Sequence, residues 1–187
     1  MFQIACETEN ILFEKRSKFI TRIKSVTRED EAKSYIEEIR KFEKGATHNC
    51  YAYRIDHDNH IIERKSDDGE PGGTAGAPML AVLAGENMIN TLVVTTRYFG
   101  GIKLGSGGLV SIYKKGVTEI LKKTQKIAFE RLVELELSFD IKNTHKIDYN
   151  LSKNQIKVLK REFDNQNVRY KILCREEECE LYIALTK

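Results

Sequence analysis

The sequence has little proline, few cysteines and no long apolar run. Only 2 of its 187 residues are proline and 4 are cysteine, and no two cysteines form a CxxC pair. That pattern indicates neither a zinc site nor a disulfide framework, so we expect reduced thiols. The apolar runs are too short to span a bilayer, and residues 1–10 lack the basic and apolar blocks of a signal peptide. We therefore expect a cytoplasmic globular protein without a membrane partner.

The sequence also lacks a strong excess of charge of one sign. Its formal net charge is +3, which is too small to mark a nucleic-acid-binding protein by itself. Residues 1–108 contain 15 Lys and Arg against 16 Asp and Glu, whereas residues 109–187 contain 16 against 12. Basic residues follow the second glycine-rich loop at Lys114, Lys115, Lys122, Lys123 and Lys126. They indicate either a solvated helix face or a footprint for a phosphate backbone.

Glycine is concentrated in two loops, and the second is the central feature of the sequence. It follows an apolar, β-branched run at Leu92–Thr96 that is typical of a buried strand, and it precedes helical spacing from Leu109 to about Thr124. This order directs backbone N–H groups and the positive end of a helix dipole into the loop, where Lys103 adds a charge. The spacing matches neither a Walker loop nor a dinucleotide fingerprint. The loop is therefore either an anion site or a sharp structural turn.

We predict that this loop and its neighbours contact phosphate groups. The candidate contacts are Arg97, Tyr98, Gly100, Gly101, Lys103, Gly105, Ser106, Gly107 and Gly108. Four lysines would widen the basic patch, namely Lys15, Lys18, Lys114 and Lys115. Tyr98 or Phe99 would stack on a base if exposed, and a core role is the alternative for both.

The first glycine loop, Ser66–Pro78, contains three carboxylates within four residues, at Asp67, Asp68 and Glu70. With His48 as a partner they could ligate Mg²⁺ or act as a general base. Alternatively, they hold backbone N–H groups of their own turn or pair with Arg97. The spacing of a calcium loop is absent. His48 and Cys50 would share one face of a strand, which allows a Cys–His pair or core packing of Cys50 beside a hydrogen-bonded His48.

Hydrophobic periodicity predicts alternating strands and helices. A first helix is predicted to start after Thr27, whose side chain accepts a backbone N–H, and to end near Gly45. Strands are predicted at Ile11–Phe13, Phe19–Ile23, His48–Ile55, Ile61–Lys65, Leu92–Thr96, Leu132–Phe139, Ile156–Phe163 and Val168–Cys174. The further predictions are a turn at Asp56–Asn59, a helix from Pro78 to about Gly85, a boundary near Lys126–Glu130 and a helix over 142–153. The last segment is ambiguous, because Cys179, Leu181, Ile183 and Leu185 alternate as in a strand whereas its acidic start suits a helix.

Four motifs together resemble the IMPACT/YigZ family. They are KRSKFI at Lys15–Ile20, HNCYAYRI at His48–Ile55, SDDGEPGGTAGAP at Ser66–Pro78 and TRYFGGIKLGSGGL at Thr96–Leu109. The resemblance covers roughly residues 10–125 and implies a two-domain α+β protein. Residues 1–127 would form an IMPACT N-terminal domain, similar to the second domain of a ribosomal small-subunit protein and to domain IV of elongation factor G. Residues 128–187 would form a ferredoxin-like domain, shortened so that the final segment is its second helix.

The resemblance also implies a function in translation. Eukaryotic relatives regulate translation through protein partners, and the likeness to ribosome-contacting domains suggests RNA or the ribosome as partner. This chain departs from the family pattern at Gly72, Ala77 and Ser111, and Lys114 and Lys115 replace small residues. We expect an RNA- or ribosome-binding regulator that needs no cofactor. The alternatives are a metal-dependent hydrolase or phosphotransferase using Asp67, Asp68 and Glu70, and a protein-interaction module without catalysis.

Overall fold

The structure, a computed structural model, describes residues 1–58 and 60–186. The predicted turn at Asp56–Asn59 and the last predicted segment each include one residue, Asn59 and Lys187, outside the described ones. The chain forms two compact units, Met1–Phe129 and Glu130–Lys187. In the described part of the chain, no helix is both long enough and apolar enough to cross a membrane.

Unit 1, residues 1–129, is built on a five-stranded antiparallel sheet with the strand order β2-β3-β6-β4-β5. Its elements are β1 (Phe2–Ile4), β2 (Thr8–Glu14), β3 (Ser17–Ser25), α1 (Glu29–Phe42), β4 (His48–His57), β5 (His60–Ser66), α2 (Gly76–Gly85), β6 (Thr91–Tyr98), α3 (Ser106–Lys123) and β7 (Lys126–Ala128). The first seven residues of β6 are buried, because β6 lies between β3 and β4 with helices over both faces of the sheet. The predicted apolar strand at Leu92–Thr96 is confirmed.

Helices cover the two faces of this sheet with separate sets of apolar residues. On one face, α2 packs on β4 and α3 packs on β3, and the ring of Tyr113 meets that of Phe19 edge-on at 5.5 Å between centroids. On the other face, Ile36 and Ile39 of α1 belong to one buried cluster with Leu92 and Val94 of β6. Because side chains alternate along β6, successive residues pack into the apolar clusters on opposite faces of the sheet.

The beginning of α1 differs from the prediction that Thr27 caps it. The residue before the first turn is Arg28, whose side chain makes no capping hydrogen bond. Thr27 instead donates from its backbone N and its hydroxyl to the Glu31 carboxylate, at 2.8 and 3.2 Å. The prediction was wrong about the direction of the hydrogen bond. Thr27 was expected to accept from a backbone N–H, whereas it donates to a glutamate in the first turn of the helix.

A short two-stranded sheet, which the sequence pattern does not predict, joins the two ends of unit 1. Strand β1 pairs antiparallel with β7, with Phe2 opposite Ala128. The backbone N–H of Phe129 also donates to the carbonyl of Met1 at 3.0 Å. Three-residue strands give too short a pattern to be recognised in a sequence.

Unit 2, residues 130–187, has a three-stranded antiparallel sheet with the order β8-β10-β9. Its elements are β8 (Leu132–Asp140), α4 (Thr144–Lys153), β9 (Lys157–Phe163), β10 (Asn167–Arg175) and α5 (Cys179–Leu185), with 3-10 turns before both helices. The β-α-β-β-α order and the central third strand are those of a ferredoxin-like unit without its last strand. The expected α+β fold is confirmed.

The final segment is a helix, so the strand pattern noted at Cys179–Leu185 was misleading. Tyr182 is buried and Cys179 and Leu185 pack on the same core, which is a spacing of three. Leu181 and Ile183, the other members of the alternating set, are 56% and 42% exposed. Seven residues cover only about two helical turns, which is too short to distinguish the two periods.

Candidate functional site

The second glycine loop presents the N-terminus of α3 without a capping side chain. Gly105 precedes the helix with φ of 78°, a conformation that side-chain-bearing residues rarely adopt. The first helical bond runs from the N–H of Leu109 to the carbonyl of Gly105 at 3.0 Å. The N–H groups of residues 106–108 therefore have no acceptor within the helix. Lys103 lies exposed in the same loop.

A cavity of about 380 Å³ lies between the two glycine loops. Gly69, Glu70 and Pro71 of the first loop form one side, and the segment from Lys103 to Ser106 forms the other. The remaining walls are Thr47, His48, Arg97 and Phe99. The strand register explains part of this arrangement, because Arg97 lies opposite both Phe19 and His48, and directly paired side chains share one face.

Arg97 is held in an ion pair with Glu70 at the wall of this cavity. Its Nη1 donates to both oxygens of Glu70, at 2.7 and 3.0 Å, and the two side chains are 6% and 2% exposed. The guanidinium lies 5.3 Å from the ring centroids of Phe19 and Phe99. Its buried Nε has no hydrogen-bond partner within the described residues. Glu70 therefore offsets most of the positive charge that Arg97 brings to the site.

Glu70 also connects α3 to the first loop. The hydroxyl of Tyr113 donates to Glu70 Oε1 at 2.8 Å, and the thiol of Cys50, whose sulfur lies 3.4 Å from the Tyr113 hydroxyl, donates to the carbonyl of Asp67 at 2.9 Å. Burial raises the pKa of Tyr113, and it raises the pKa of Cys50 to about 12. Cys50 is thus a protonated core thiol at neutral pH. The ring of His48 bonds through Nδ1 to the carbonyl of Asp68 at 2.8 Å, and its Nε2 lies 3.9 Å from a carboxylate oxygen of Glu70.

The other two carboxylates of the first loop hold backbone and arginine donors. Asp67 accepts from the backbone N–H groups of Gly73, Ala75 and Gly76, at 2.8, 2.9 and 2.8 Å. Burial alone would raise the pKa of Asp67, but these three donors together lower it. Asp68 accepts from the N–H of Asn49 at 2.7 Å and from Arg40 at 2.8 Å. Throughout residues 1–58 and 60–186, no three His, Cys, Asp or Glu side chains are grouped to hold a metal ion.

Tyr98 and Lys18 lie on the opposite face of the sheet from the cavity. They are directly paired on β6 and β3, and the Tyr98 hydroxyl donates to the carboxylate of Glu43, which follows α1. That hydrogen bond raises the pKa of Tyr98. Phe99 is the aromatic residue that lines the cavity, and it is 45% exposed. The structure therefore brings Phe99, and not Tyr98, beside Lys103.

A smaller cavity of about 220 Å³ lies next to Leu104, which also lines the larger one. Its walls include Lys15 from the turn between β2 and β3, and Gly108, Ser111 and Lys115 from α3. Two of the predicted basic residues, Lys15 and Lys115, are thus close to the loop, and Lys114 is exposed on α3.

Gly100 allows the loop to approach the β2–β3 turn closely. A Cβ at this position would lie 2.1 Å from the backbone carbonyl of Arg16. The N–H of Gly100 accordingly donates to the Ser17 hydroxyl at 3.2 Å, and Arg97 donates to the same hydroxyl at 3.4 Å. Ser17 and Tyr113 are among the members of this site that were not predicted, as are Thr47 and Leu104, because nothing in the local sequence pattern distinguishes Ser17 and Tyr113 from ordinary sheet and helix positions.

Fold and site together define a class: a two-unit α+β protein in which two glycine loops, joined by a buried Glu–Arg pair, surround a cavity at a helix N-terminus. The Impact N-terminal domain model matches residues 15–121. The chain belongs to the IMPACT family, which confirms the family expected from the four motifs.

Individual relatives agree with this assignment. The chain is 40% identical over 163 residues to the IMPACT family member YvyE of Bacillus subtilis (strain 168), covering 87% of this chain and 74% of the relative. It is 41% identical over 110 residues to the IMPACT family member YigZ of Escherichia coli (strain K12), covering 58% of this chain and 54% of YigZ. A solved structure, described as that of an hypothetical protein, matches with a TM-score of 0.72 and 30% identity, covering 98% of this chain and 89% of the other.

Proposed function

We propose that unit 1 binds RNA phosphates at the second glycine loop, that the RNA is part of the ribosome, and that this binding modulates translation. The observation that carries the proposal is the loop itself, where an uncapped 18-residue helix and an exposed lysine meet at one cavity. Backbone N–H groups at a helix N-terminus are favourable donors to a phosphate oxygen.

The distribution of charge favours Lys103 for the central role in phosphate binding. Arg97 is already paired with Glu70, so it can orient a bound phosphate but adds little net positive charge to the site. Lys103 and the α3 dipole then attract phosphate at the larger cavity. Lys15 and Lys115 attract phosphate at the smaller one. Adjacent cavities with lysines suit successive phosphates of one strand better than a single small anion.

Phe99 supplies a surface on which a base can stack. Its ring is 45% exposed at the cavity, and the Arg97 guanidinium lies 5.3 Å from its centroid. Stacking on aromatic side chains is the common way in which proteins hold unpaired bases.

The first experiment is co-sedimentation of the protein with ribosomes over a series of salt concentrations. We expect Lys103→Gln to weaken sedimentation and to reduce the slope of log affinity against log salt by about 1. Lys33→Gln on α1, whose side chain is 71% exposed, is the matched control and should behave as the wild type. Equal loss in both variants, or no sedimentation of the wild type at low salt, would contradict the proposal.

Two other outcomes would favour the alternative functions. Salt-independent sedimentation would indicate a protein partner. Mg²⁺-dependent binding of a small phosphate compound, abolished by Asp67→Asn, would indicate an enzyme.

A second experiment tests the stacking surface. Phe99→Leu should weaken binding of a single-stranded oligonucleotide by about 1–3 kcal/mol, because leucine has no aromatic face. Phe42→Leu removes a ring that is 76% exposed at the end of α1 and should leave affinity unchanged. An equal effect of both substitutions would rule out stacking at Phe99.

A further inference from the structure

Two cysteines of unit 2 lie close together in space. The sulfur atoms of Cys174 and Cys179 are 3.8 Å apart, with no bond between them. Cys174 is the penultimate residue of β10, and Cys179 is the first residue of α5. A disulfide bond is about 2.05 Å long, so the two sulfurs would have to approach by somewhat less than 2 Å.

The turn between β10 and α5 holds the two cysteines close together. Glu176–Glu178 forms a 3-10 turn, and Arg175 donates to Glu178 from its guanidinium at 2.5 Å and from its backbone N at 3.4 Å. Both cysteines pack in the core of unit 2. The juxtaposition is therefore a property of the folded turn, whereas the spacing in the sequence, with four residues between the cysteines, did not reveal it.

The two thiols differ in their exposure. Cys179 is partly exposed, and Cys174 is 1% exposed. A reagent can reach Cys179 from solvent, and Cys174 lies behind it as an internal thiol. Cys50 is buried in unit 1, and Cys6 is exposed there.

We propose that Cys174 and Cys179 form a reversible redox pair, which a low-molecular-weight disulfide oxidises to an intramolecular disulfide bond. In the first step the Cys179 thiolate attacks one sulfur of the reagent, a mixed disulfide forms, and one reagent thiolate leaves. In the second step the Cys174 thiolate attacks the Cys179 sulfur and expels the second reagent thiolate. The protein loses two electrons and two protons, and the reagent is reduced to two thiols.

The second step is slow at neutral pH and accelerates in alkali. Burial raises the pKa of the Cys174 thiol above its ordinary value, so only a small fraction of it is thiolate near neutrality. Below that pKa the thiolate fraction increases about tenfold per pH unit, and the rate of ring closure should increase with it.

The test uses the full chain carrying Cys6→Ser, so that the exposed thiol of unit 1 does not react. The folded protein is incubated with glutathione disulfide at about pH 7 and about pH 9 and analysed by mass spectrometry and peptide mapping. We expect a loss of two hydrogen atoms, a peptide cross-linked between residues 174 and 179, faster closure at the higher pH, and full reversal by dithiothreitol. Cys174→Ala should instead retain one glutathione, bound at Cys179.

Two results would overturn the proposal. One is a protein with intact Cys174 and Cys179 that keeps a stable glutathione adduct without a cross-link. The other is recovery of both thiols unmodified after incubation at the higher pH. Because both are measured on a protein with the native cysteine pair, they do not depend on whether Cys174→Ala folds, and Cys179→Ser, at the partly exposed position, gives an independent variant that should form no cross-link.

Discussion

Glu70 and Arg97 are the residues that join the two glycine loops. Each is nearly inaccessible to water, and Tyr113 donates to Glu70 from α3. An arginine that loses its carboxylate in such a place keeps a buried, uncompensated charge. The sequence offered this pairing as one of several roles for Glu70, because periodicity shows that Arg97 ends a buried strand but not which carboxylate, 27 residues earlier, reaches it.

The first prediction concerns this ion pair. Glu70→Gln keeps the size of the side chain but removes its charge, and it should lower the free energy of unfolding by about 3–5 kcal/mol. Glu37→Gln is the control, since Glu37 is 56% exposed in its pair with Arg40 and should change stability by about 0.5 kcal/mol or less. Urea unfolding followed by circular dichroism measures both, and similar effects would contradict a structural role for the buried pair.

The second prediction concerns the pH dependence of stability. Three backbone donors lower the pKa of Asp67 in the folded protein, so at acid pH the unfolded chain binds the proton more readily. The contribution of Asp67 is complete above the ordinary aspartate pKa of about 3.9 and is lost as pH falls through the lower folded value.

Asp67→Asn should therefore be less stable than the wild type at neutral pH, and the difference should shrink below about pH 4. Unfolding midpoints in urea between about pH 3 and about pH 7 measure it. Asp58→Asn, at a side chain that is 87% exposed, should give a pH profile parallel to that of the wild type. A constant difference for Asp67→Asn across this range would show that its hydrogen bonds do not depend on ionisation.

Among the elements, the second glycine loop packs against the β2–β3 turn at Gly100 but has free space around Gly107. Gly100 is pressed against the backbone of Arg16 and bonds to Ser17, whereas a Cβ at Gly107 would have no atom within 4 Å. The two glycines thus have different reasons for lacking a side chain, although they belong to the same motif in the sequence.

The third prediction compares these glycines. Gly100→Ala should displace the loop, destabilise the protein by more than about 1 kcal/mol and weaken ribosome sedimentation, because the added Cβ would overlap the Arg16 carbonyl. Gly107→Ala, in the first turn of α3, should fold as the wild type or gain about 0.5–1 kcal/mol. Thermal unfolding of both variants tests this difference, and equal stability would mean that the loop can move away from the turn at little cost.

How far the elements could be predicted depends on their length. The central β6 and the 18-residue α3 have long apolar patterns, and their positions agree with the prediction to within a few residues. Strands β1 and β7 have three residues each and were missed, and α5 was ambiguous because only two turns of helix were available. The position of Lys103 beside Phe99 depends on the path of the loop, which no periodicity describes.

At the scale of the whole molecule, each unit has its own buried core. Two apolar clusters lie on the two faces of the five-stranded sheet of unit 1, and a separate cluster that includes Tyr170 and Tyr182 lies within unit 2. A region with its own closed core can fold without the rest of its chain.

The fourth prediction is that residues 1–129 form an independently folding fragment. It should show one cooperative urea transition and the same salt-dependent sedimentation with ribosomes as the full chain, since both cavities lie within it. Near-ultraviolet circular dichroism and the salt series are the measurements. A fragment without a cooperative transition would show that unit 2 contributes to the stability of unit 1.

Strand β1 lies beside β7, so that residues far apart in the sequence are neighbours, and Met1 and Phe129 share a hydrogen bond. A unit whose two ends adjoin can be inserted into a surface loop of a host protein, because the chain enters and leaves the unit at neighbouring, hydrogen-bonded residues. The same proximity permits a circular permutant, in which a short linker joins residue 129 to residue 1 and new ends open in an exposed turn elsewhere.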